Sequence, residues 1–430
     1  MNKQTLAEGL NAADKQLRLE ALRGLRAMLD AGEIAEPEHT ADTNNHVHTT
    51  YSFSPYSPTA AVYYAYMSGL CTVGIIDHDS ISGAREFIEA GKIMRITTTI
   101  GCEVRVSFAD TPMNGRTLNN PDEPTVAYIA LHGLPHNKID EMDALLSQIR
   151  EKRNERNIKQ VERLNAIIAP YGLKLDFDKD VRPTSMAYDG GSITERHILF
   201  ALTKKLIEKY GKGAKLIDFI ENGMGIAVSG SIGKMLGDTE FFAYDYDVLN
   251  VLKSNLVPKF FIEGGEDCFP VKKVVDYART LGVIPTYCYL GDVAESPTGD
   301  KKAQKFEDEC IDELFPLVKE LGFEAIAYMP SRNTMEQLTR VMDKCKNYEF
   351  FEISGEDINQ PRQSFICMKQ RDNAFTHLAD NTWALVGHEN AATHDAEECI
   401  YSARMKAEYP VLKDRVAHFK KIGLECKNCK

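Results

Sequence analysis

Six places in this sequence put a metal-ligating side chain at the end of an apolar, strand-like run. His46-Val47-His48 closes the first run, Asp77-His78 the second, Glu103 the third and His132 the fourth; Cys288 and Tyr289 close the fifth, and Glu356-Asp357 follow the last. In an extended strand residues i and i+2 face the same way, so the imidazoles of His46 and His48 reach toward one point. Neutral imidazole combined with carboxylate suits zinc, manganese or iron. One or two such ions lower the pKa of a bound water toward neutrality and stabilise charge on a leaving oxygen, which is the basis of metal-assisted hydrolysis. A pair of histidines beside a turn is commonplace. Six strand ends that each deliver a donor are not.

The elements that must position these donors alternate along the chain. Residues 41–48 read as a strand, followed by a helix opened by Ser57-Pro58, an N-cap with proline at the first helical position, which stops at Gly69. Strands are predicted over 72–76, 97–104 and 126–131, with a helix over 82–92. Charged helix formers then take over, with helices predicted over 142–168 and 193–210. The alternation resumes with strands at 283–287, 324–329 and 349–353, between helices at 270–280, 303–321 and 335–346. Strand–helix alternation implies a mainly parallel sheet, open or closed. In parallel barrels reactive groups collect at the carboxyl ends of the strands, because those ends open onto one face. The organisation read from this is an N-terminal helical extension (1–40), a strand–helix domain in two pieces (41–136 and 238–375), an inserted helical subdomain (137–237) and a C-terminal extension (376–430).

With 430 residues, 43% hydrophobic and 27% charged, the chain has ample material for a large core. Its net charge of -12 argues against a surface that tracks long nucleic acid. No run of 18 apolar residues and no signal-peptide pattern is present, and the ten cysteines lack a disulfide-framework spacing, so a soluble, cytoplasmic protein without membrane association is expected. Cys426 and Cys429 form a single CxxC, read as a frayed tail rather than a zinc site. Ser229 to Lys234 suggests a phosphate loop, but Val228 and Met235 stand where that motif needs Gly and Ser/Thr, so a loop near the site mouth is expected. Arg150, Arg153, Arg156 and Arg163 interleave with glutamates, the pattern of a solvated helix face. His388 and His394 are read as structural.

The runs His46-Val47-His48-Thr49-Thr50-Tyr51-Ser52 and Ile75-Ile76-Asp77-His78-Asp79-Ser80-Ile81-Ser82-Gly83, together with Gly101-Cys102-Glu103-Val104, resemble the opening motifs of the PHP (polymerase and histidinol phosphatase) superfamily. The resemblance covers about residues 44 to 360 and is closest to a bacterial branch that hydrolyses nucleotide phosphates and short RNA. That branch also carries a helical insertion with an arginine-rich start, here Arg150 to Arg163, and a later motif similar to Arg196-His197. The implied fold is α/β, a distorted seven-stranded (β/α) barrel related to the TIM barrel, with a helical insertion.

The resemblance also implies roles. His46, His48, Glu103 and Asp357 match the ligands of one ion, Glu103 bridging to a second that His132 also binds, with His136 close enough to compete. The histidine usual at the next position is absent from Tyr287-Cys288-Tyr289-Leu290-Gly291, so either Cys288 substitutes as a thiolate or it is a core cysteine. Phe53 and Asn359 replace the outer ligands of a third ion. That leaves His78 expected to be free of metal, as a general acid or phosphate contact. Asp77 is expected to orient a ligand histidine, and Arg196 and His197 to meet the substrate phosphate. The expected activity is hydrolysis of small phosphorylated substrates, including nucleotides or short oligonucleotides, with one or two zinc, manganese or iron ions. Two rivals are cleavage of a C–N bond, as in amidohydrolases that share the His-x-His start, and a catalytically degenerate protein that binds metal or nucleotide.

Overall fold

The computed structural model describes residues 2–228, 230–292 and 307–428 of the chain. Two helices lead, α1 (Lys3–Gly9) and α2 (Lys15–Asp30), capped by the side chains of Asn2 and Asp14. Then come β1 (Thr43–Val47), α3 (Pro58–Met67), β2 (Thr72–His78), α4 (Ala84–Met94), β3 (Thr97–Ser107) and β4 (Val126–His132). As expected, the Ser57 hydroxyl accepts from the Ala60 amide to start α3. A helical stretch follows, with α5 (Ile139–Ile168), α6 (Glu195–Tyr210), α7 (Ala214–Asp218), α8 (Gly230–Gly237) and α9 (Tyr244–Phe260). The alternation returns with β5 (Phe269–Pro270), α10 (Val271–Thr280), β6 (Ile284–Cys288), α11 (Ile311–Leu321), β7 (Ala325–Ala327), α12 (Met335–Tyr348) and β8 (Phe351–Ile353). The chain ends in α13 (Thr376–His394), α14 (Ala403–Glu408) and α15 (Leu412–Asn428). Among the described residues no helix is long and apolar enough to cross a membrane.

Seven strands form one curled sheet in the order β1-β2-β3-β4-β6-β7-β8, with two-residue β5 paired to the outer end of β3. The two edges of the sheet meet through the segment after β8: Val47 bridges Ile358, the His48 amide donates to the Ile358 carbonyl at 3.0 Å, and the Ile358 amide donates to His46 at 3.1 Å. The result is the distorted α/β barrel expected. One strand departs from a parallel barrel. β4 runs antiparallel to both β3 and β6, so its carboxyl end lies at the floor of the barrel and not at the mouth. A strand's apolar pattern carries no direction, and the short 108–125 connection returns the chain as a hairpin would.

Both terminal segments are walls of the barrel. Leu6, Leu10, Leu19, Leu22, Leu25 and Leu29 share the main apolar core with the helices that flank the sheet. Arg18, 2% exposed, grips Glu86 of α4 through two hydrogen bonds of 2.8 and 2.5 Å. At the other end α13 plugs the interior. Its Ala384, Leu385 and Ala391 pack on Ile284, Ala325, Ala327, Phe351 and Ile353, the inward-facing residues of β6, β7 and β8. Glu389 accepts the Ile100 amide at 2.8 Å, Thr382 accepts from Asn45, and the His388 ring bonds the Gly133 carbonyl at 3.0 Å. His394 ends the same helix. Cys429 lies outside the described residues, and none of the nine described cysteines is in a disulfide.

The helical stretch has its own core, built from Val161 to Phe260. Its limits differ from those read in the sequence. The first half of α5 (Ile139, Met142, Leu145, Leu146, Ile149) belongs to the barrel core and only its second half to the insertion, while α9 extends the insertion well past residue 237. A 30-residue helix is about 45 Å long, enough to span both layers. The 229–234 stretch, expected as a loop, is helical in α8 from Gly230 onward, and Ser229 lies outside the described residues.

α13 and α15 cross at Gly387 and Gly423. A Cβ on Gly387 would collide with the Phe419 carbonyl, and one on Gly423 with that of Trp383. Gly387→Ala is therefore expected to lower unfolding stability by about 1–3 kcal/mol through overpacking of the plug, measured by denaturant melts; an unchanged midpoint would show that the crossing can relax.

Candidate metal centre

His46, His48 and Glu103 bring ligand atoms to within 4.8 Å of one another. Glu103 is the centre. Its Oε2 lies 3.9 Å from Nε2 of His46, 3.9 Å from Nε2 of His48 and 2.9 Å from Nδ1 of His78. Asp357 joins through Oδ1, 3.3 Å from Nε2 of His48. Burial opposes the charge on Glu103, but attraction to His78, then to His46 and His48, prevails and holds its pKa down at about 2. Burial likewise opposes Asp357, and the hydrogen bond with His48 holds it well below the usual carboxylate range. His46 is pushed down by burial, whereas His48 is raised against burial by its bond to Asp357. Two carboxylates stay ionised beside imidazoles at neutral pH, as a cation site requires.

The local sequence explains how the donors converge. β1 has an irregular register between Asn44 and Val47, and the Asn44 side chain accepts the His46 amide at 2.9 Å. Asn45 and His46 both line the cleft, and Val47 turns into the outer core. Asp77 pairs in register with outward-facing Cys102 and points away from the barrel interior. It accepts the Thr49 amide and hydroxyl (2.6 and 2.5 Å) and the Ser52 hydroxyl (2.6 Å). The Ser52 oxygen lies 3.3 Å from Nδ1 of His48. With its proton given to Asp77, Ser52 accepts from Nδ1–H, which leaves Nε2 of His48 for the cluster. Asp77 thus orients His48 through Ser52. Asn359, which stands where the resemblance leads one to expect a ligand, donates to Asp357 Oδ1 at 2.6 Å and holds it in place.

His78 is hydrogen-bonded to Glu103, and its ring lies 4.5 Å from that of His48. His132, on antiparallel β4, sits beside Gly101, one rung deeper than Glu103. Its Nε2 is buried without a partner, and burial, then the nearby His46, push its pKa down to about 3. An orphaned neutral nitrogen next to Glu103 and His46 fits a ligand of a second, deeper ion, whereas His136 is turned to Glu389 of α13 at 2.8 Å. Cys288 lines the cleft, but His132 is registered with Ile284, four residues from Cys288, so the two lie about 13 Å apart along the strands and do not share one ion. Burial raises the Cys288 thiol well above its ordinary value.

His197 is also displaced from its expected role. Its Nδ1 accepts the Thr194 amide at 3.0 Å in the capping box of α6, and its ring packs 4.9 Å from Phe53. Burial pushes its pKa to about 3. Arg196, its neighbour, turns the other way. It lines the cleft near Asp357, whose charge it favours, and makes no hydrogen bond or ion pair with another described residue. The cleft enclosed by these groups has a volume of about 1060 Å³.

Residues 44–253 match the family model of the PHP domain. This chain carries a PHP domain. A structure from Bifidobacterium adolescentis, of a protein assigned by name as a metal-dependent phosphoesterase, is similar with a TM-score of 0.52 and 17% identity, over 79% of this chain and 96% of that one. An amidohydrolase from Chromobacterium violaceum, with bound sulfate and no metal, gives 0.50 and 14%, over 76% and 90%. No curated protein matches the sequence. Identities this low speak to a shared fold. Together with the donor cluster, the PHP domain supports a metal-dependent hydrolase.

The insertion of this PHP domain is clamped to the strand ends that carry the donors. Arg153 and Arg156, expected on a solvated face, are buried. Arg153 binds Asp79 at 2.5 Å and Glu195 at 3.0 Å; Arg156 binds Glu195 at 2.9 Å and Asp267 at 3.1 Å; Arg105 of β3 completes the network on Asp267 and Glu123. Asp79 has φ +51°, and its amide donates to the Glu103 carbonyl at 2.8 Å, so Arg153 holds the turn next to His78. Phe53 buries its ring among His197, Phe200 and Tyr246 of the insertion. The alternation of charges hid these contacts, and the ~100° turn per residue that brings Arg153 and Arg156 to one face was the signal available.

The double change His46→Ala, His48→Ala should remove bound transition metal, measured by elemental analysis, and Glu103→Gln should cost more activity than either single change. Full metal content in the double variant would sink the cluster assignment. A second expectation concerns acid. His197 and His388 are buried neutral, their pKa values pushed down to about 3 and about 4 by burial. Each titrates near 6.5 when unfolded. Below that value the unfolded chain takes up protons the fold refuses, so stability falls by about 1.4 kcal/mol per pH unit per group. Urea midpoints should therefore drop between pH 7 and pH 5.5, and equal midpoints would mean that these rings are accessible.

Proposed function

We propose that this PHP domain protein hydrolyses phosphate esters of small molecules, nucleotides and short oligonucleotides among them. The observation that carries this reading is Arg196, a guanidinium on the cleft wall near Asp357 of the donor cluster that makes no hydrogen bond or ion pair with another described residue. An acidic protein that binds a phosphoryl group needs local positive charge, and a planar fork of donors next to a cation site supplies it. His46, His48, Glu103 and Asp357 would hold one ion of zinc, manganese or iron, and Glu103 with His132 would contribute to a second. Such an ion supplies Lewis-acid polarisation and a nucleophile at neutral pH.

The chain's own residues do the rest. Arg196 binds and orients the phosphoryl oxygens. Ser52 and Asp77 keep Nε2 of His48 directed at the cluster, Asn359 keeps Asp357 facing it, and His78 steadies Glu103 through Nδ1. The insertion roofs the cleft and limits water. The departures at Phe53 and Asn359 leave this arrangement intact, which favours an active enzyme over a degenerate binder. Cleavage of a C–N bond is less well supported, since none of the eight strands contains a lysine to carry a bridging carbamate. The cleft volume suits a drug-sized or nucleotide-sized ligand.

Chelation should abolish hydrolysis of phosphomonoesters, and added manganese or zinc should restore it. Arg196→Ala should raise KM about 10- to 100-fold, as expected for loss of a charge-assisted hydrogen bond, with a smaller effect on kcat. Cleavage of amide substrates with no turnover of any phosphomonoester or diester would overturn the reading.

A further inference from the structure

The inward-facing residues of β3 and β4 form three rungs: Gly101 opposite His132, Glu103 opposite Ala130, and Arg105 opposite Tyr128. The deepest rung lies against the plug, the middle one carries the cluster, and the uppermost faces the mouth. Both members of the uppermost rung line the cleft. Arg105 is engaged by Asp267 and Glu123. Tyr128 is not engaged. Its backbone is pinned by the Asn119 side chain at both amide (2.8 Å) and carbonyl (2.7 Å), its ring lies 5.6 Å from that of His78, and its hydroxyl makes no hydrogen bond with a described residue.

We propose that Tyr128 is a catalytic residue whose hydroxyl donates a hydrogen bond to the ester oxygen that leaves phosphorus. The inference rests on the phosphoester reading above. A phosphoryl group held between the cluster and Arg196 finds the floor closed by His132 and α13, so its ester oxygen must point toward the mouth. The next inward position in that direction on β4 is two residues, about 7 Å, beyond Ala130, and Tyr128 occupies it. In the reaction the bond from phosphorus to the ester oxygen breaks and a bond from phosphorus to the oxygen of water forms. The electron pair stays on the ester oxygen, and the proton released by the water reaches the leaving alcohol through solvent. The phenol keeps its proton and stabilises the developing charge. Burial pushes its pKa up to about 12, so it is a donor throughout the neutral range.

Tyr128→Phe keeps the ring beside His78 and removes only the donor. The test compares manganese-loaded wild type and Y128F on phenyl phosphates with leaving groups from phenol to 4-nitrophenol. Metal content and melting temperature should match wild type, KM should stay within about twofold, and kcat on phenyl phosphate should fall on the order of 100-fold. The loss should shrink for 4-nitrophenyl phosphate, whose oxygen needs little stabilisation. A wild type that turns over the series while Y128F is unimpaired, or impaired equally for every leaving group, overturns the role of Tyr128 alone. A metal-loaded wild type that hydrolyses none of the series overturns the phosphoester reading, and this proposal with it.

Discussion

A carboxylate inside a barrel survives as an anion only if positive charge or strong donors surround it. Glu103 meets that demand with three imidazoles, from β1, from the residue after it and from the end of β2. The same contacts tie the first three strands together around one point. Through its contact with Asp357, His48 also links the cluster to the far edge of the sheet, because Asp357 lies in the segment through which the barrel closes on β1. Charge compensation and barrel closure are therefore one feature: the residues that neutralise Glu103 are brought together by the hydrogen bonds that join the two edges.

A barrel closed this way is thin on its last side, where β7 and β8 are three residues each. Short strands leave an apolar interior that their own small side chains, Ala325 and Ala327, do not fill. The plug helix α13 fills it, buried on nearly every side along its central turns. It also sets the depth of the site, since everything below the Glu103 rung is taken up by His132 and the plug, and only the mouth stays open to a ligand.

The insertion adds a roof whose seat is electrostatic as well as apolar. Phe53 leaves the barrel to enter the second core, and Arg153 enters the barrel side to hold Asp79. Both anchors lie within a few residues of donors, Phe53 after His48 and Asp79 after His78. Removing one partner of a buried charge network leaves the other charge unpaired at considerable cost, so the roof and the donor loops are held as one unit.

Much of this was legible before folding. The His-x-His spacing, the strand–helix alternation and the N-cap at Ser57 are local properties, set by backbone period and by which side chains satisfy the first amides of a helix. They were enough to imply a mainly parallel sheet, open or closed, with donors at its strand ends; the resemblance to the PHP superfamily added the barrel and the set His46, His48, Glu103 and Asp357, which the structure brings to one place. The sequence did not show that β4 runs backward and sinks His132 a rung deeper, that Cys288 lies too far along β6 to reach His132, that His197 caps a helix while Arg196 faces the cleft, or that both terminal segments are built into the barrel. Spacing along a chain is a matter of local geometry. The direction and depth of a strand depend on which neighbours it pairs with, and the partner of a buried side chain on what packs against it, so these were decided only when distant segments met.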